Sequence, residues 1–441
     1  MSGSFEQAAG HGRAGQAGGL GKAAVGAVVL SAAGTACGQD ALQNALAIEP
    51  FLASSGNSEL NNDRPHLGPV GLELGAYAGL ELNDNVNSSQ LNPQSDLLLR
   101  GGLSIGLGCQ LTAQSDLRFS SDIGYVHYLN HPVYDHLEVA PNSALAWNIG
   151  LQDGTISIFD QFAYSQQVLA ESAISGLAYF PRFNNTIGTE VSWQPGRWIL
   201  DLGYSHEDTL SSSTQFRYLN SSSELFFSRG GWLVGAASQA GIEASGGLTR
   251  YEVSTQNNNS SVSAGPYLDL ELTRAVHAAL RGGAVFYLFD SAPLNRQGNQ
   301  LNSYYLGLRV SHQFTDFLSH KIDVQRNVRQ GLNQGSSFIE QFTASYSINY
   351  SLTSNISLQG GFSYEQGTQP FEVFVDIPPF GTFGVLTTEN YSRYGATVSA
   401  SWQATRKVAA SLGYSHWFRT SNLSGLGYEV NSVLFNLSYK F

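Results

Sequence analysis

From about Val70 to the last residue, apolar and polar side chains alternate with a period of two, segment after segment. Residues 338–353 show it best. Phe338, Phe342, Ala344, Tyr346, Ile348, Tyr350 and Leu352 hold the even positions, with Glu340 as the exception. Gln341, Thr343, Ser345, Ser347, Asn349, Ser351 and Thr353 hold the odd ones, with Ile339 as the exception. A helix would scramble these residues, whereas a strand sends each set to its own face. Leu97, Leu99, Leu103, Ile105, Leu107, Cys109 and Leu111 form another such row, and Tyr394, Ala396, Val398, Ala400 and Trp402 a third. The chain must therefore build a sheet that is greasy on one face and wet on the other.

Composition decides what the greasy face meets. Charged residues are 13% of the 441, about half the usual globular share of roughly 25%. Aromatics reach 12% and Gly numbers 48. A soluble chain this poor in charge would need a very large core, while a transmembrane barrel needs none. The net charge of −12 argues against nucleic acid, since no basic excess replaces phosphate counterions. Two cysteines, Cys37 and Cys109, predict no disulfide and no thiolate metal site.

The connections alternate in length. Short turns are expected near Ala113, Gln152–Gly154, Pro195–Gly196, Arg229–Gly230, Thr273–Arg274, Thr315–Asp316, Ser354–Asn355 and Thr405–Arg406. Longer loops rich in Asn, Ser, Gly and Pro are expected near 83–96, 131–141, 165–183, 208–216, 246–261, 290–301, 330–337, 366–391 and 419–427. Short turns inside and long loops outside are the outer-membrane pattern. The expectation is an all-β, antiparallel up-and-down transmembrane barrel of about 18 strands, within 16–18. Trp193, Trp198, Trp232 and Trp402 lie beside short turns, where a periplasmic aromatic girdle belongs. The loop at 366–391 is the most apolar, with Phe371, Phe374, Ile377, Phe380 and Phe383. It is expected either to narrow the mouth or to pack on neighbouring loops or the outer leaflet.

The final strand alternates Val433, Phe435, Leu437, Tyr439 and Phe441 with Ser432, Leu434, Asn436, Ser438 and Lys440. Such a strand ending in Phe resembles the signal read by the barrel-assembly machinery. At the other end, Arg13 and Lys22 precede an apolar run from Ala23 to Ala36. That run is too short to span and suits a signal peptide. The domain expectation is a signal peptide at 1–38, a poorly structured periplasmic linker at 39–68 and the barrel at 69–441.

No nucleophile elbow, phosphate loop or zinc-binding His pair is present, so no enzymatic activity and no cofactor are expected. His127, His131 and His136 cluster near one loop at spacings that match no standard metal site. Charges should sort to the lumen, because Arg or Lys facing lipid at mid-depth costs about 2–4 kcal/mol. Arg100, Arg118, Asp122, Asp201, Glu207, Asp269, Glu271, Arg281, Arg309, Lys321, Asp323 and Arg393 all take the polar phase. They are the candidate pore lining, or else an internal ion-pair network that braces the barrel. Arg326 and Glu340 take the other phase and should lie near a rim.

One stretch resembles a known family. Tyr77 to Val86 ends in Leu82-Asn83-Asp84-Asn85-Val86, and Ser95-Asp96, Leu111-Thr112 and Tyr128-Leu129-Asn130-His131-Pro132 come after it. This is similar to the start of outer-membrane β-barrel porins associated with exopolysaccharide loci, with Leu82 where those have Tyr. The resemblance implies passive solute passage or help in polysaccharide export, and it implies no catalytic residue. A non-conducting structural or adhesive barrel and an outer-membrane enzyme are the alternatives. The expected partners are outer-membrane lipid, the assembly machinery, and polysaccharide or small solutes as passengers. Nothing in the sequence marks an oligomeric state.

Overall fold

The computed structural model describes residues 65–293, 298–377 and 381–441. The expected signal peptide and most of the expected linker lie outside them. A two-residue strand, β1 (His66–Leu67), turns at Gly68 (φ +64°) onto the first long strand. The wall then runs β2 (Val70–Asn83), β3 (Asp96–Thr112), β4 (Ser115–Tyr128), β5 (His136–Leu151), β6 (Gly154–Ser165) and β7 (Arg182–Trp193). Next come β8 (Trp198–Leu210), β9 (Ser221–Leu233), β10 (Gln239–Tyr251), β11 (Asn259–Thr273), β12 (Val276–Phe289) and β13 (Gln300–Thr315). It ends with β14 (Leu318–Arg329), β15 (Ile339–Ser351), β16 (Ile356–Ile377), β17 (Gly381–Gln403), β18 (Val408–Ser421) and β19 (Tyr428–Lys440).

From β2 onward each strand pairs antiparallel with its sequence neighbours, and β19 closes on β2 from Ser432↔Asn83 to Lys440↔Gly75. The result is a closed barrel of 18 strands. Closure is a consequence of the alternation. A sheet with a greasy outer face belongs in lipid, and in lipid an open edge would leave backbone groups unpaired at several kcal/mol each. Leu80, Leu103, Leu202, Phe286, Leu412 and Phe435 stand exposed on the outside. Such a surface would aggregate in water, and in the outer membrane it is the contact with the bilayer. Trp193, Trp198, Trp232 and Trp402 are exposed beside short turns, with Trp147 joining them. Trp198 and Trp232 meet edge to face at 4.3 Å.

Several expectations change, and the loop expected at 131–141 is cut short because β5 begins at His136. The 366–391 segment is not a loop. β16 and β17 pair through it as far as Ile377↔Gly381. β15 leaves β16 at Glu340↔Thr368 and β18 leaves β17 at Tyr391↔Ser421. The segment is therefore a two-stranded ribbon standing above the rim, because Phe, Val and Thr favour strand and Pro370 is tolerated where the neighbouring strand has ended. The loop expected at 246–261 is shorter, since β10 continues to Tyr251. The turn expected at Arg229–Gly230 lies further on, because β9 runs through both to Leu233.

Gly231, next to the expected turn, has a use inside the strand. The Tyr267 ring lies flat across Gly231 and Gly241 on the inner wall, where a Cβ would collide with it. Tyr77 covers Gly102 and Gly124 in the same way. These glycines make room for a neighbour's ring and end nothing.

Candidate functional site

The site is the outer half of the lumen. The loop between β6 and β7, residues 166–181, does not stay outside. It carries Glu171, Ser172, Ala173, Ile174 and Phe180 into full burial. Its shape is set locally by bonds from Glu171 N to Val168 O (2.9 Å), Ile174 N to Glu171 O (3.2 Å) and Phe180 N to Gln166 O (3.0 Å). Gly176 supplies a left-handed turn at φ +72° and donates to Ser88 O of the β2–β3 loop at 2.8 Å.

The loop reaches the opposite wall. Glu171 accepts from Arg182 Nη1 on β7 at 2.7 Å and from Arg329 Nη2 on β14 at 3.0 Å. Arg329 also donates to Gln341 Oε1 on β15 at 2.7 Å, and Gln341 donates to Ser172 Oγ at 3.1 Å. Arg419 Nε on β18 donates to Ser172 O at 2.8 Å, and its Nη2 pairs with Glu389 on β17 at 2.7 Å. Arg393 Nη1 on β17 donates to Leu169 O at 2.6 Å, while its Nη2 pairs with Glu365 on β16 at 2.5 Å. Each of these three guanidinium–carboxylate sets is largely buried, and a charge there tolerates burial only because its partner is in place. Rings complete the plug. Phe180 lies under Arg182 at 4.4 Å, Trp417 under Arg393 at 4.5 Å and Tyr391 under Arg419 at 4.6 Å. Val168, Ala173, Ile174 and Phe180 pack with Phe216 and Leu219 of the β8–β9 connection and Leu332 of the β14–β15 loop.

The expected lining residues all project inward, but most pair locally on the wall. Arg100 sits between Glu81 (2.7 Å) and Glu138 (3.3 Å). Arg118 pairs with Asp116 at 2.6 Å, and Arg309 with Asp323 at 2.7 Å. Lys321 lies in the combined field of Arg309 and Asp323. Asp122 accepts from Asn142 at 3.4 Å, Asp201 from Ser192 at 2.7 Å and Asp269 from Gln239 at 2.9 Å. Glu207 is buried on the inner face, and Arg281 lies in the field of Glu243. Glu271 stands near the periplasmic turn, its backbone N–H bonded to Ser238 Oγ at 3.0 Å. Of the set, Arg393 is the one that grips the inward loop. The off-phase pair, Arg326 and Glu340, meet each other at 3.1 Å near the outer rim.

The sequence reading missed Glu171, Arg182, Arg329, Glu389 and Arg419. Inward phase at the outer end of a strand was a usable signal for the three arginines. For Glu171 there was none, since a loop has no alternation to read.

No protein family matches the sequence, and no curated protein is similar to it. Among solved structures, the outer membrane protein OpdK of Pseudomonas aeruginosa is similar at 11% identity, covering 86% of this chain and 100% of its own, with a TM-score of 0.46. OpdH (OccK5) of the same organism is similar at 8% identity, covering 85% and 99%, with a TM-score of 0.45. OccAB2 of Acinetobacter baumannii is similar at 9% identity, covering 85% and 98%, with a TM-score of 0.45. The likeness is one of general shape.

Proposed function

We propose that this outer-membrane barrel is a porin-like channel for small polar solutes, narrowed by its own 166–181 loop. The carrying observation is the loop's ionic anchorage across the lumen through Glu171, Arg182 and Arg329. A barrel serving only as a brace or adhesin has no need of a loop seated in its mouth. Below the loop, β15 to β19 line the lumen with Thr343, Ser345, Asn349, Ser363, Ser399 and Asn436, and the inner wall there is polar and nearly uncharged, with Lys440 at its periplasmic end. Opposite it stand the paired charges around Arg118, Asp201, Asp269 and Arg309. A hydrated lumen with one neutral and one charged side favours small polar solutes over bulky ones. Nothing among the described residues favours polysaccharide export, which would need a wide mouth.

Single-channel recording in planar bilayers tests the reading. Deleting 170–178 should raise the conductance several-fold over the intact protein. Silence from both proteins, each shown to be a folded barrel, would replace the channel with a closed structural barrel.

A further inference from the structure

Between β13 and β14 the wall parts. The two strands pair only from Thr315↔Leu318 up to Leu306↔Arg326. Above that point β13 still pairs with β12 as far as Leu288↔Gln300, and β14 with β15 as far as Arg329↔Ile339. The β14–β15 ribbon bends inward there. Tyr287 on β12 donates its hydroxyl to Val328 O at 3.2 Å, reaching past β13. Ser303 on β13 donates to Glu340 Oε1 on β15 at 3.0 Å, reaching past β14.

The seam opens at the outer boundary of the bilayer. Phe314 and Phe317, 63% and 61% exposed, mark the periplasmic interface. About 9–11 tilted residues cross the hydrocarbon, so the count from Phe314 ends near Tyr304. Arg326 covers the unpaired edge. Its Nη1 donates to Tyr304 O at 2.5 Å, its Nη2 holds Glu340 at 3.1 Å, and its guanidinium lies 3.8 Å from the Tyr304 ring centroid. Behind it the inner wall is apolar, where a barrel lumen is ordinarily polar. Tyr287, Phe289, Leu301, Tyr305, Val328 and Phe338 pack there as one cluster. A cavity of about 10 Å³, room for one water, lies beside Tyr287, Tyr305 and Val328.

We propose that this seam is a lateral portal through which an anionic single-chain amphiphile passes between the barrel interior and the outer leaflet. A carboxylate head can replace Glu340 on Arg326, one carboxylate for another, and so release the β14–β15 ribbon from β13. The chain then has apolar surface on both sides, lipid without and the buried cluster within. The axial route from the mouth is crossed by the 166–181 loop and its ionic anchors. This portal rests on the reading of the barrel as a conduit.

The probe is laurate carrying a diazirine at its chain end, photolysed with the full protein in phospholipid vesicles and mapped by peptide mass spectrometry. Label is expected on Leu301, Tyr305 and Val328. Glu340→Gln should raise that inner labelling by about tenfold, the equivalent of ~1.4 kcal/mol, by leaving Arg326 to the incoming head. Arg326→Met should lower it. Ser303→Cys with Glu340→Cys, tied by a short thiol cross-linker in a Cys37→Ser, Cys109→Ser background, should abolish it. Label confined to outward residues such as Leu306 and Tyr304 would overturn the portal. So would inner labelling that survives the tie, or equal inner labelling by a diacyl phospholipid probe. Ion conductance of the same preparations is read separately. Conductance unchanged by the tie is expected, and a silent barrel that still labels inside would remove the channel while leaving the portal.

Discussion

Glu171 is 1% exposed and shared by two guanidiniums. Burial alone would raise its pKa, but Arg182 and Arg329 more than offset this and hold it below the ordinary carboxylate value of 4.5. A carboxyl with a depressed folded pKa contributes stability that is complete above 4.5 and fades as pH falls below it. The loop should stay seated at neutral pH and release in acid, so conductance should rise as the bath is taken well below the ordinary carboxylate range. Glu171→Gln should abolish that pH response and conduct more at neutral pH. It leaves two buried guanidiniums uncompensated, a loss of about 3–5 kcal/mol in comparable buried pairs. Glycine makes a second residue-scale case. Gly231→Val forces the Tyr267 ring off the wall and should cost about 1–3 kcal/mol in urea unfolding from vesicles. Gly230→Val, with no atom within 4 Å of its Cβ position, should cost far less. Equal losses would show that the ring does not need the gap.

A repeated device marks three of the strands that rise to the outer rim. Gly-Tyr-x-His occurs at 124–127 on β4, 203–206 on β8 and 413–416 on β18. Each time, the Tyr hydroxyl and His Nδ1 converge on one oxygen bearer of the adjoining strand or loop. Asp135 receives Tyr125 and His127 at 3.2 and 2.6 Å. Glu224 receives Tyr204 and His206 at 2.6 and 2.9 Å. Asn431 receives Tyr414 and His416 at 2.8 and 2.9 Å. Polar tips are thus tied where the apolar band gives way to headgroups, and His127 of β4 serves structure there. The β16–β17 ribbon is the other element-scale feature. Because it stands above the rim, deleting 372–386 should leave single-channel conductance unchanged. A rise on that deletion would return the constriction to the ribbon.

At the scale of the whole barrel, the last strand closes the wall and its outward row is Val433, Phe435, Leu437, Tyr439 and Phe441, all exposed to lipid. Phe441 adds one edge-on contact with Tyr439 at 5.0 Å, and its N–H bonds Leu74 O at 2.9 Å. Removing the ring spares the β19–β2 pairing, so Phe441→Ala should refold in detergent nearly as well as the parent. If the terminus is also read by the assembly machinery, the same variant should show a strongly reduced outer-membrane yield in cells, with precursor held in the periplasm. Normal yield at native expression would leave Phe441 only its rim contact.

Alternation by itself determined the barrel, the inward phase of Arg100, Asp201, Arg309 and Arg393, and the pairing of the last strand with the first. The reason is that period two is a local property and lipid admits no open edge. Turn chemistry located most hairpins and failed at Arg229–Gly230, because a glycine inside a strand looks in the sequence like a glycine serving a turn, and β9 runs on through both to Leu233. The role of the 166–181 loop was not legible, nor was the ribbon at 366–391 or the seam at Leu306. Loop sequence carries no periodicity, and whether a segment turns inward depends on arginines hundreds of residues away. Glu171 meets Arg329, and Ser172 meets Arg419, only once the wall has closed and brought β14 and β18 across the lumen from β6 and β7.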